Sequence, residues 1–275
     1  MDMPSPIPWE RPPVIIIGAH RSGTTATAHA LQLLGLHIGV NLDSHAESRL
    51  LQRLHEQYLF QFAAAWHDPV SFLNWIETDA GRRQCTVYLR DNLESNYAGI
   101  FGYPPTIKGL LSRARLRFGA PWGWKEPRTT LFGRCWLNLF PDARFVHVAR
   151  HPWAAALSIR QRELEFRKTG DSPNIRLDDL EYCTRLVATY VETGERLAAA
   201  TPNYQLVRFE DIQADPAKTL AALADFCGLP FTEDKLAEAA SSIRPEKPFS
   251  DQDLPPASVQ AFLSGHPIFA KLGYK

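Results

Sequence analysis

The sequence has no surplus of charge of either sign: 30 lysines and arginines balance 30 aspartates and glutamates, so nothing global attracts a polyanion such as nucleic acid. Any anion binding must come from local clusters. Cysteine is scarce, and Cys85, Cys135, Cys183 and Cys227 lie apart in helical or apolar segments, with no C-x-x-C or Cys/His pairing. This argues against a disulfide frame or a zinc site, and for reduced core thiols in a cytoplasmic protein. No apolar run approaches a membrane span. The proline-rich start, residues 1–12, lacks the basic and apolar regions of a signal peptide and reads as a flexible N-terminal segment. There is no repeat period or low-complexity block, and residues 1–275 are expected to form a single domain.

What is present is concentrated near the start. The apolar, β-branched run Val14-Ile15-Ile16-Ile17 feeds Gly18-Ala19-His20-Arg21-Ser22-Gly23-Thr24-Thr25, and Ala26 to Leu34 is helix-forming. A strand buried on both faces, a glycine-bounded turn and a helix start together aim backbone N–H groups at an anion. The spacing is similar to a Walker P-loop, but Gly18-x4-Gly23 is followed by Thr24-Thr25 rather than by lysine. The cation has moved into the loop as Arg21, whose guanidinium suits phosphate or sulfonate oxygens. A plainer reading of the same residues is a glycine-rich turn capped by Ser22 or Thr24.

Along the rest of the chain, apolar spacing predicts a helix from Glu47 to Trp66 and further helices through Phe118. A short strand follows at Trp122–Lys125, a helix at Thr130–Phe140 and a strand at Arg144–Ala149. Pro152 opens a helix to about Phe166; Lys168 to Arg176 is a polar break, either a mobile gate or a plain loop. A helix to Ala200, a strand at Tyr204–Arg208 and helices at Pro216–Cys227 and Thr232–Ser242 complete the pattern. Strands separated by helices, without hairpin dipeptides, predict an α/β, P-loop-like three-layer fold with a mainly parallel central sheet flanked by helices.

Ligands of such sheets gather at the carboxyl ends of the strands. Three of those ends carry a cation, Arg21, Lys125 and Arg150. Ser158, two turns into the helix after Arg150, shares the face that points back to the strand end, so the two would hold one phosphate together. Arg150 also stands where a magnesium-dependent NTPase usually has an aspartate. The expectation is therefore no metal, with cations steadying a leaving group. Sulfuryl transfer fits that description.

The loop Ala19 to Thr25, the segment Val148-Ala149-Arg150-His151-Pro152 with Ser158, and Val207-Arg208-Phe209-Glu210-Asp211-Ile212 followed by Asp215-Pro216 together resemble the PAPS-dependent sulfotransferases. The resemblance spans Val14 to about Ile243. It implies that Arg21, Ser22, Gly23, Thr24 and Thr25 bind the 5′-phosphosulfate of PAPS, Arg150 and Ser158 its 3′-phosphate, and that Phe209 lies near the adenine. It suggests that the Ser241-Ser242-Ile243 turn closes over the nucleotide.

Two departures narrow the placement: Ala26 replaces the tryptophan of the phenol and steroid branch, and Trp124-Lys125-Glu126-Pro127-Arg128 lacks that branch's histidine base. The chain is more similar to the bacterial and tyrosylprotein-type branch, where a carboxylate shortly after the first helix serves as base. Asp43, His45 and Glu47 compete for that role, and Glu47, expected at a helix start facing the cradle, is favoured. The implied activity is in-line transfer from PAPS, without metal, to a hydroxyl of a small-molecule or glycan acceptor, with Arg21, Lys125 and Ser158 steadying the leaving bisphosphate. Aromatic residues between Glu47 and Phe118 would line the acceptor pocket or simply the core. The alternatives are a P-loop-type kinase or NTPase and a non-catalytic nucleotide-binding module.

Overall fold

A computed structural model of the chain describes residues 11–101, 107, 111, 119–169, 174–245 and 254–274, with backbone alone at 94–101. Its centre is a four-stranded sheet of β1 (Val14–Ile17), β2 (Gly123–Lys125), β3 (Arg144–Ala149) and β4 (Tyr204–Arg208) in the order β2-β1-β3-β4. Every pairing is parallel, and Ile15 lies between Trp124 and Phe145, while Ile16 lies between Lys125 and Val146. All four strands fall where the apolar runs predict them.

Strand side chains alternate between the two faces. Ile15, Ile17 and Phe145 enter one core, while Val14, Ile16, Val146 and Val148 enter the other. Helices α1 (Thr24–Leu33), α2 (Arg49–Phe60), α3 (Val70–Ile76), α4 (Asp79–Phe101) and α5 (Gly133–Leu139) precede β3. Then come α6 (Pro152–Thr169), α7 (Leu180–Glu195), α8 (Phe209–Ala214), α9 (Pro216–Cys227), α10 (Glu233–Ser241), α11 (Ala257–Gly265) and α12 (Pro267–Lys271). The first core includes Leu54 and Leu59 of α2, Ile159 of α6 and Val187 of α7, and the second Leu31 of α1, Leu220 of α9 and Ala239 of α10. The sheet is thus covered on both sides.

From β1 the chain crosses to one edge for β2 and then to the other side for β3. The β1/β3 boundary is the switch point at which such sheets open a crevice. The loops after β1 and β3, with Arg21 and Arg150, meet there.

Several boundaries differ from the sequence expectation. Helix α1 begins at Thr24 rather than Ala26, and Glu47 precedes α2 instead of opening it, because Ser48 is the N-cap and accepts from Leu51 N at 3.4 Å. The helix expected at Thr130–Phe140 splits into a 3₁₀ turn, Pro127–Thr130, and α5. Helix α8 was not foreseen; Phe209 opens it directly from the strand, and Arg208 is fastened to Asp211 through Nη2 at 2.7 Å. Helices α11 and α12 were likewise missed. Most of the region expected to be helical between Phe101 and Phe118 lies outside the described residues, as do 170–173 of the break expected from Lys168 to Arg176. There, α6 runs to Thr169 and a 3₁₀ turn occupies Ile175–Asp178.

All four cysteines are buried and free, and burial pushes the Cys183 and Cys227 thiols up to about 12. Among the described residues no helix is long and apolar enough to cross a membrane.

Candidate active site

The loop after β1 turns on backbone geometry. Gly18 has φ +148°, and a Cβ there would lie 2.4 Å from the carbonyl oxygen of Val148. Thr130 fixes this glycine from both sides: its Oγ1 accepts from Gly18 N at 2.9 Å and donates to Gly18 O at 3.2 Å. Gly23, with φ +92°, is the N-cap of α1, and a Cβ there would stand 2.2 Å from the Phe209 ring. No side chain caps the helix, which corrects the capping reading of Ser22 and Thr24. Ser22 instead donates Oγ–H to Ala19 O at 2.7 Å and stiffens the turn. The first backbone N–H groups of a helix have no partner within it, so this N-terminus keeps its donors and the positive end of its dipole for an anion.

Arg21 occupies the left-handed region at φ +67°, uncommon for a residue with a side chain and a sign of constraint by its surroundings. Its Nε donates to Ser158 Oγ at 2.9 Å, while Arg150 Nη1 donates to the Arg21 carbonyl at 3.0 Å. Arg150 and Ser158 thus converge on Arg21 from β3 and α6, one holding its backbone and the other its side chain. Among the described residues no carboxylate pairs with Arg21.

On the other side of the loop Lys125, at the end of β2, is 1% exposed and Glu47 6%. Lys125 Nζ donates to Glu47 Oε1 at 2.8 Å and to Thr25 Oγ1 at 3.0 Å. Gln52 of α2 donates to Glu47 Oε2 at 2.7 Å and to Asp43 Oδ2 at 2.8 Å. Burial pulls the Lys125 pKa below its ordinary value against the opposing pull of Glu47.

The three candidate bases separate here. Burial works to raise the Asp43 pKa, but the backbone N–H of Glu47, the Gln52 amide and the backbone N–H of His45 outweigh it and hold the carboxyl below its usual value. Asp43 accepts those backbone bonds at 2.9 Å and 2.8 Å and shapes the turn. His45 is tied into that turn through its backbone. Glu47 alone reaches Lys125.

Beneath Lys125 lies a buried ionic chain that the sequence reading did not single out. Glu126 accepts from His55 Nδ1 at 2.5 Å and from Arg128 Nη1 at 2.6 Å, and Arg128 Nη2 reaches Glu56 at 2.6 Å. Trp136 Nε1 donates to His55 Nε2 at 3.1 Å, so that nitrogen is an acceptor and Nδ1 carries the proton given to Glu126. Burial alone would raise the Glu126 pKa; the Arg128 charge and the His55 bond bring it down to about 2.

Other expected residues have different surroundings. Phe209 is buried and its ring covers Gly23. Ser241 and Ser242 turn their hydroxyls to the Glu238 and Ala239 carbonyls, both at 2.7 Å, and Ile243 packs into the core. Gln52 and Thr130 were missed: a polar residue inside an amphipathic helix and a threonine after a strand carry no signal that they face a site.

Residues 12–233 match the model of the Sulfotransferase family, and the chain belongs to that family. Among solved structures its fold is similar to sulfotransferase STF9 from Mycobacterium avium, with 19% identity, a TM-score of 0.53, and coverage of 97% of this chain and 76% of that one. It is also similar to sulfotransferase STF1 from Mycobacterium tuberculosis H37Rv, with 15% identity, a TM-score of 0.50, and coverage of 84% and 71% respectively. At these identities the likeness is one of fold. No curated protein matches the sequence.

Proposed function

We propose that this sulfotransferase uses PAPS as donor and transfers its sulfuryl group to a hydroxyl of a small-molecule or glycan acceptor, with Glu47 as the base. The observation that carries the reading is the convergence of Arg21, Ser158, Arg150, Thr25, Lys125 and Glu47 around the uncapped start of α1. The residues fit an anionic nucleotide: glycines with no room for a Cβ, an arginine without a carboxylate partner among the described residues, and a helix N-terminus no side chain fills. PAPS, when bound, supplies an activated sulfuryl group on a phosphate leaving group.

The chain's residues divide the work. Arg21, Thr24 and Thr25 bind the 5′ end together with the loop N–H groups, and Arg150 and Ser158 bind the 3′-phosphate. Lys125 and Arg21 stabilise charge that develops on the leaving oxygen. Glu47 takes the acceptor's proton as the new oxygen–sulfur bond forms.

Both carboxylate oxygens of Glu47 are engaged, one by Lys125 and the other by Gln52. Lys125 also touches Thr25 in the cradle, so an anion held there competes with Glu47 for the ammonium. Drawing Lys125 off the carboxylate unmasks the base and places the cation where charge appears. Transfer assays with PAPS and a panel of hydroxyl acceptors test the reading, with binding of adenosine 3′,5′-bisphosphate measured in parallel. Glu47→Gln is expected to bind the bisphosphate and lose turnover; full turnover in that variant overturns the assignment of the base.

A further inference from the structure

Next to the cradle a stack of four side chains has no role in the mechanism above. The His20 ring lies 4.4 Å from Trp66, the Arg162 guanidinium carbon stands 4.9 Å from the centre of the Trp66 ring, and 5.8 Å from that of Phe166. His20 immediately precedes Arg21, and Arg162 lies one turn of α6 beyond Ser158, the partner of Arg21. Trp66 lies in the segment after α2 and packs against the core. The stack therefore joins the loop after β1 to α6 and to the segment after α2.

Polar groups in this cluster are left over. Arg162 Nε, Arg128 Nε and His20 Nε2 are buried and have no hydrogen-bond partner among the described residues. Buried polar atoms in native proteins nearly always have one, so three together call for an explanation. The surrounding charges sharpen the point. Lys125, Arg128, Arg162 and Arg21 all act on His20, and burial with those four cations keeps its imidazole well below the usual range and neutral.

The carboxylates nearby are otherwise engaged: Glu47 with Lys125, and Glu126 and Glu56 with Arg128. Glu163 meets Arg162 only through Nη2, at 3.3 Å. The Trp66 and Phe166 rings hold the guanidinium, whose N–H groups suit a planar or tetrahedral oxyanion. The Arg162 side chain is 19% exposed while its Nε is buried, so solvent meets only part of the guanidinium.

We propose that Arg162, assisted by His20 and Arg128, forms an oxyanion subsite that selects acceptors carrying a carboxylate or sulfate group near the reacting hydroxyl. The inference rests on the sulfuryl-transfer reading, because the donor's own phosphates are matched to Arg21, Arg150 and Ser158, and the added anion then belongs to the acceptor. Arg162 acts here by binding and positioning, with no part in the bond-making step.

The test uses the full chain saturated with adenosine 3′,5′-bisphosphate, so that the cradle is filled, and titrated with sodium sulfate or sodium acetate while arginine Nε–H resonances are followed by NMR. The Arg162 resonance is expected to shift and saturate while that of Arg208 does not; the sulfate and acetate arms separate tetrahedral from planar anions. Arg162→Gln is expected to abolish the saturable anion binding, and Arg162→Lys to restore part of it. An Arg162 resonance unmoved by both anions, with the bisphosphate bound, overturns the subsite and leaves the sulfuryl-transfer reading standing. Failure to bind the bisphosphate overturns that reading, and this inference with it.

Discussion

On the cradle side, Gly18, Arg21 and Gly23 bend one short loop with positive φ angles, and the donors it offers are mostly backbone. On the opposite wall, Glu47 and Lys125 meet from positions 78 residues apart, and Lys125 bonds Glu47 and Thr25 through side chains alone. The charge balance differs as well. Arg21 has no carboxylate partner among the described residues, whereas Lys125 is neutralised by a carboxylate at 2.8 Å. The first wall awaits an anion; the second has its charges already satisfied and must rearrange to work.

The contrast predicts different responses to substitution, the largest on the side-chain wall. Glu47→Gln should lower turnover by about 10²- to 10⁴-fold, the usual contribution of a positioned general base. Its bisphosphate affinity should hold or rise, because Lys125 is released toward the cradle. Calorimetry beside a transfer assay reads both, and a parallel loss of binding would erase the distinction between the two walls.

Lys125→Met leaves Glu47 buried without its counter-charge and should cost about 3 kcal/mol of stability in urea denaturation. An unchanged midpoint would show that the pair contributes nothing beyond its desolvation.

On the backbone wall, Gly23→Ala combines a strained φ with a Cβ 2.2 Å from Phe209 and should cost about 2 kcal/mol together with bisphosphate affinity. Gly35→Ala is the control: its φ is also positive, at +106°, but nothing lies within 4 Å of the added Cβ. It should cost only about 1 kcal/mol of backbone strain and leave binding alone. Equal losses would mean that Phe209 yields and that the loop does not depend on its fit.

A further effect, read through pH, concerns Glu126. Its folded-state pKa lies below the ordinary value, so its contribution to stability is present above pH ~4.3, the ordinary glutamate value, and is lost as pH falls through about 2. Tryptophan fluorescence during acid unfolding should show this loss, and Glu126→Gln should flatten it.

How far the sequence could be read follows the same division. The strands were legible because Val14–Ile17 and Arg144–Ala149 are apolar runs buried on both faces, while their order came only from the structure. Arg21, Arg150 and Ser158 were legible because a loop, a strand end and a helix period place them within a few residues of fixed backbone. Glu47 was favoured among three candidates but not separated from Asp43 and His45, since the turn that does so is held by hydrogen bonds that no periodicity encodes. Gln52, Thr130 and the His55–Glu126–Arg128 chain were not legible: their partners are distant in sequence, and histidine, glutamine or threonine inside a helix or turn usually means nothing. Phe209 was legible as an aromatic at a strand end, and its ring packs on Gly23 at the start of α1.

The central claim is that the Arg21 loop and the Arg150–Ser158 arm together hold a 3′,5′-bisphosphate nucleotide. Calorimetric titration of the wild-type chain and of Arg150→Ala with adenosine 3′,5′-bisphosphate and with adenosine 5′-monophosphate tests it most directly. The account predicts that wild type prefers the bisphosphate and that Arg150→Ala weakens it by about tenfold or more while the monophosphate is little changed. Equal affinity of wild type for the two nucleotides, or tighter binding of magnesium-ATP than of either, would contradict it.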